Sequence, residues 1–150
     1  MLPDGLTIED ILPHRETMLL VEEVVAVDDD QAVTRSTVSS RWPLTDDRGA
    51  QVLVLVELAA QTAGINNGLR IRRTQGASDH MGWIAGIKSA RFFVDTLPLG
   101  ALVEVTSQNQ FEFEGFREIL VRATVAGRPA AEIIMQLVQA DESDESDAQS

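Results

Sequence analysis

The stretch Gln51-Val-Leu-Val-Leu-Val-Glu57-Leu-Ala-Ala-Gln61-Thr-Ala-Gly-Ile65 decides the reading of this chain. Its first half, Val52 to Val56, has strand propensity, but the continuation from Glu57 favours helix, and the whole run is too long for one ordinary strand. It reads as a single helix from Gln51 to about Arg70, apolar almost all round and therefore buried, with Asn66-Asn67-Gly68 as a weak point or end. Glu57 stands alone in this run. Burial disfavours the charged form of a carboxyl and raises its pKa, and a carboxyl poised near neutrality suits proton transfer. The competing reading is a structural ion pair with an arginine. Gln61, four residues on, shares the face of Glu57, either as part of a site or as a buried amide bonded to backbone.

On either side of the helix the chain reads as strands. Thr7-Ile-Glu-Asp10 is a capping signal for a short helix that Pro13 ends. Thr17 to Val27 is a strand, Asp28-Asp-Asp30 a turn, and Gln31 to Val38 the returning strand. Ser39 to Ala50 carries turn chemistry throughout and reads as a loop. Met81 to Val94, Ala101 to Phe113, Arg117 to Ala126 and Ala130 to Gln139 are four further strands, with turns at Glu114-Gly115 and Gly127-Arg-Pro129. One buried helix and six strands, five or more of them in one antiparallel sheet, make an α+β layout with the sheet wrapped on the helix.

Composition narrows the function. A chain of 150 residues with 44% apolar residues is expected to form one domain over residues 1–140. The segment Asp141 to Asp147 holds five acids and no base, so 141–150 reads as a disordered acidic tail. A net charge of −12 speaks against nucleic-acid binding. There is no cysteine, and the two histidines, His14 and His80, lie far apart, so neither thiolate chemistry nor a histidine-built metal site is expected. No signal peptide or membrane span is visible, and a cytoplasmic protein is the expectation.

Three blocks resemble the hotdog-fold 3-hydroxyacyl-(acyl-carrier-protein) dehydratases of the FabA/FabZ type and their divergent dehydratase-like relatives. Ile11-Leu-Pro-His-Arg15 followed by Met18-Leu-Leu-Val21 is similar to the family's opening block. Val56-Glu57-Leu-Ala-Ala-Gln61-Thr-Ala-Gly64 is similar to its central helix, and Trp83-Ile-Ala-Gly-Ile-Lys-Ser-Ala-Arg-Phe92 to its Ala-Gly-Ile…Ala-Arg-Phe strand, with Leu97-Pro-Leu-Gly100 following. One departure is sharp. The family's catalytic histidine lies in a His-Phe-Pro-Gly loop before the helix, whereas this chain has Ser39-Ser-Arg-Trp-Pro-Leu-Thr there and no histidine from residue 16 to residue 79. Trp42-Pro43 in the place of Phe-Pro puts Arg41 at the histidine position, and arginine stays protonated and cannot act as a base.

The resemblance implies a catalytic Glu57 and substrate contacts from Gln61, Arg41, Trp42 and Gly86, with no metal and no cofactor. It implies an acyl thioester substrate carried by acyl carrier protein or coenzyme A, in lipid or polyene-pigment synthesis. It also implies a homodimer or higher assembly with the acyl tunnel between subunits. Dehydration needs a base beside the thioester carbonyl, an acid for the leaving hydroxyl and backbone N–H groups to polarise the carbonyl. Glu57 keeps the acid available. A thioesterase in which one helix carboxylate activates water needs no histidine, and a degenerate acyl-thioester-binding subunit needs neither. Arg70, Arg72 and Arg73 read as complements to the helix dipole or as a docking patch for an acidic carrier protein. The five phenylalanines read as core or interface packing.

Overall fold

The computed structural model describes residues 2–3, 5–11, 19–75 and 82–140. His14, His80, the opening block's centre and the acidic tail lie outside the described residues. The chain begins with a four-residue helix, α1 (Ile8–Ile11). Its capping is reciprocal, as Thr7-Ile-Glu-Asp10 predicts: the Thr7 N–H donates to Asp10 Oδ2 (2.8 Å) and the Asp10 N–H to Thr7 Oγ1 (3.3 Å).

Strands β1 (Glu23–Val27) and β2 (Gln31–Thr37) form the first hairpin. Of the strand expected over Thr17 to Val27, Thr17 and Met18 lie outside the described residues and Leu19 to Glu22 are not strand, because the N–H groups of Leu20 and Val21 are committed to a helix side chain instead of a neighbouring strand. The segment read as a loop contains a small hairpin, β3 (Thr45–Asp46) and β4 (Gly49–Gln51). The central helix α2 spans Val54–Gln75, so Gln51 belongs to β4 and the helix runs through Asn66-Asn67-Gly68. Asn67 is absorbed because its Nδ2 donates to the Ala63 carbonyl within the helix. Gly68 is needed there, since a Cβ would stand 2.8 Å from Ile11 Cγ2 of α1.

The remaining strands are β5 (Gly82–Phe92), β6 (Thr96–Leu97), β7 (Leu102–Phe113), β8 (Phe116–Val125) and β9 (Arg128–Ala140). The turn into β9 is Ala126-Gly127 alone, both with positive φ, so Arg128 and Pro129 belong to the strand. The main sheet is antiparallel in the order β1-β2-β7-β8-β9-β5, and β3, β4 and β6 make a second, small sheet. One face of the main sheet meets α2: Leu55, Leu58 and Ile65 of the helix and Val103, Val105, Ile119, Val121, Ile133 and Met135 of the strands are buried in one core. Each such side chain contributes roughly 1.5–3 kcal/mol on leaving water.

A one-residue irregularity between Asn109 and Phe111 reverses the alternation of β7. Before it, Val103, Val105 and Ser107 face the helix; after it, Phe111 pairs with Glu118 and Phe113 with Phe116 on the outer face. Phe111 and Phe113 are therefore 54% and 63% exposed instead of joining the core, although Phe111 and Phe116 meet edge to face.

Candidate active site

Glu57 and Ala60 form a narrow open stripe on the helix, away from the sheet and in line with the exposed Leu53 just before it, and the rest of its first four turns is largely buried. Glu57 is half-buried on that stripe, more open than its apolar neighbours in sequence suggest. The helical spacing brings Gln61 beside it, and Gln61 Nε2 donates to Glu57 Oε1 at 3.1 Å. The Gln61 side chain is fully buried, and its Oε1 accepts from the backbone N–H groups of Leu20 (2.9 Å) and Val21 (3.3 Å). One amide thus performs both roles that the sequence leaves open: it orients the carboxylate and satisfies backbone. Its acceptor side is fixed by the two N–H donors, so its NH2 must face Glu57.

The loop before the helix positions the other candidates differently. The Trp42 indole is buried in the core, whereas Arg41 is exposed, with its backbone N–H bonded to Ser39 Oγ (3.1 Å). Asp46 accepts the Arg48 N–H (2.8 Å), so it serves the turn. Leu44 holds a positive φ of 58°, uncommon for a bulky residue, and its carbonyl accepts the Gln51 N–H. At the helix start the N–H groups of Leu55 and Val56 bond back to the carbonyls of Val52 and Leu53, so these two amides are not open to a substrate carbonyl. Gly86 sits exposed on β5, where a Cβ would meet nothing within 4 Å. Among the described residues no three His, Cys, Asp or Glu side chains converge as metal ligands would, and no helix is long and apolar enough to cross a membrane.

The structure adds a polar network that the residue-by-residue reading missed. Thr62 Oγ1 and Thr34 Oγ1 are 2.9 Å apart, joining α2 to β2. Asn67 exchanges side-chain bonds with Asn109, and the buried Arg117 donates to Asn67 Oδ1 at 2.7 Å. Arg70 and Arg117 both reach Glu112, at 2.7 and 3.3 Å. Burial pushes the Glu112 carboxyl up, but the Arg70 hydrogen bond and the charges of Arg117 and Arg70 outweigh it and hold the group below the usual carboxylate range. Arg70 is thereby paired across to the β7–β8 hairpin; the side chains of Arg72 and Arg73 lie outside the described ones. The legible signal was the run of amides and hydroxyls, Gln61, Thr62, Asn66 and Asn67, in a helix otherwise apolar.

Comparison with known proteins places this arrangement. The sequence pattern of the ApeP-like family, described as the ApeP dehydratase, matches residues 6–147. No curated protein matches the sequence directly. Among solved structures, the dehydratase heterocomplex ApeI:P from Xenorhabdus doucetiae is similar with a TM-score of 0.76 at 18% identity, over 95% of this chain and 97% of that one. A hypothetical thioesterase solved with coenzyme A, from Streptococcus pneumoniae TIGR4, is similar at 0.60 and 14% identity, over 79% and 84%. The E. coli PaaI protein is similar at 0.56 and 13%, over 77% and 81%. The architecture is the hotdog fold, an antiparallel sheet wrapped on one long helix. With the family's pattern running from before α1 to beyond β9, the chain belongs to the ApeP-like dehydratase family.

Proposed function

We propose that this protein acts on 3-hydroxyacyl thioesters as a dehydratase-type subunit, with Glu57 as its catalytic carboxyl. The observation that carries the reading is the Glu57–Gln61 pair on the open stripe of α2: a carboxyl aimed by a fully buried amide whose other end is fixed to backbone. In its protonated form Glu57 gives a proton to the leaving β-hydroxyl, and water departs as the α,β-double bond forms. The base that takes the α-proton is a second group. Arg41, exposed at the place of the family's histidine, cannot be that base, but it can hold an anionic part of the thioester carrier, coenzyme A or carrier protein. Trp42, packed in the core, supports this role by anchoring the loop that carries Arg41. Gly86 leaves the β5 backbone open to an acyl thioester.

The second group comes from across a subunit boundary. The edge strand β5 and the open stripe of α2 are surfaces that a second hotdog subunit covers, either another copy or, as in the ApeI:P heterocomplex, a different dehydratase subunit. The acyl products fit lipid or polyene synthesis in the cytoplasm. One observation favours a second reading, a thioesterase: no histidine falls between residues 16 and 79, and hydrolysis by a carboxyl-activated water requires none.

Mass spectrometry of 3-hydroxyacyl thioesters, on both carriers, separates the readings. Loss of water with the thioester intact is the expected result. Release of free acid and thiol would transfer the protein to the thioesterases. Glu57→Gln is expected to lower turnover about 10²-fold or more with the fold unchanged; full activity in that variant would remove Glu57 from the chemistry.

A further inference from the structure

Among the described residues, three buried polar atoms have no protein partner: Oδ1 and Nδ2 of Asn66 and Oγ of Ser107. Both side chains are fully buried. Native interiors rarely leave such groups unpaired, because each forfeits its hydrogen bonds to water and gains nothing in return. Their positions are related. Thr62 of α2 bonds Thr34 of β2, and in the sheet Thr34 stands opposite Val105. One helical turn beyond Thr62 is Asn66; two residues along each strand, Ala32 stands opposite Ser107. On the far side, Asn67 of the helix bonds Asn109, two residues beyond Ser107. Asn66 and Ser107 are thus bracketed by two hydrogen-bonded crossings between the same helix and the same sheet. Ala32 and Ala63 are the small, fully buried residues of this neighbourhood.

We infer that Asn66 and Ser107 together bind a buried water molecule between α2 and β7. The ligand class follows from the donors and acceptors. The Asn66 amide supplies one of each and the Ser107 hydroxyl can do either, which gives a single water the three partners that buried waters typically have. An anion would face the Asn66 carbonyl oxygen and a cation the Nδ2 donor, and neither meets a compensating charge from these two residues. The bound water completes a polar seam that runs along the helix from Gln61 through Thr62 and Asn66 to Asn67, and so fixes the rotation and register of the helix that carries Glu57.

The test has a sign built into it. If Ser107 Oγ is truly orphaned, Ser107→Ala removes a buried unpaired group and raises Tm. If the hydroxyl holds water, the same small change lowers Tm, by roughly 2–4 °C for a chain of this size. A crystal structure near 1.5 Å resolution should show one solvent peak within hydrogen-bond distance of Ser107 Oγ and the Asn66 amide. The double variant Asn66→Leu with Ser107→Ala should lose less than the sum of the two single losses, since both share one water. A Tm rise in Ser107→Ala, a dry map, or strict additivity would each overturn the assignment.

Discussion

Gln61 shows how one side chain can serve the backbone and a neighbouring carboxylate at once. Its oxygen caps the N–H groups of Leu20 and Val21, and its nitrogen holds Glu57. Gln61→Leu keeps the volume but strands two backbone donors, each costing ~1–3 kcal/mol when buried. The expected loss is about 2–4 kcal/mol in urea unfolding, together with reduced turnover at low temperature where the variant is still folded. An unchanged midpoint would mean that those donors find other partners. The chain's sequence made the pairing of Glu57 with Gln61 readable, because a spacing of four on a helix leaves little freedom. It did not reveal Leu20 and Val21 as the acceptor-seeking partners. They lie about forty residues away and carry apolar side chains, so only their backbone takes part.

Between elements, the same contrast holds. The helix and the long strands were legible from hydrophobic run lengths and turn residues. The phase of β7 past Asn109 was not, because a one-residue bulge leaves no compositional mark and yet reverses which residues face the core. The helix's continuation through Asn66-Asn67-Gly68 was hidden for a related reason: the side-chain bond from Asn67 back to Ala63 within the helix and its tertiary bonds to Asn109 and Arg117 override weak local propensity. Glu112 ties this end of α2 to the β7–β8 hairpin through Arg70 and Arg117. Its folded-state pKa is depressed, so its contribution is present above the unfolded value of about 4.3 and lost as pH falls through the folded value. Its side chain is 38% exposed, which limits the contribution to the range of partly screened pairs, ~0.2–1 kcal/mol. Glu112→Gln should therefore melt below the wild type at pH 7, with the gap closing as pH drops below about 4. A gap constant from pH 7 to pH 3 would assign the difference to packing instead of charge.

At the scale of the whole molecule, the unresolved demand is the open side of the sheet. β5 is eleven residues long and, among the described residues, pairs with β9 alone, so one row of its N–H and C=O groups faces outward. A strand of that length without a neighbour is normally covered or blunted. Ile87, opposite the buried Met135, stands on the helix-facing side of this edge and is 48% exposed, while Lys88 pairs back to Glu118. An apolar residue placed on the inner side at an open edge suits a second subunit better than solvent, and the function proposed above draws its second acid–base group from across that same boundary. Ile87→Asp puts a charge into that contact while leaving the chain's own core untouched. Native mass spectrometry at micromolar concentration should find the wild type at twice the chain mass and Ile87→Asp at the chain mass, with dehydration lost in step. A wild type that is monomeric yet active would separate the chemistry from assembly. A wild type that is monomeric and inactive would leave β5 and the open stripe of α2 for a different subunit, whose addition should then restore turnover.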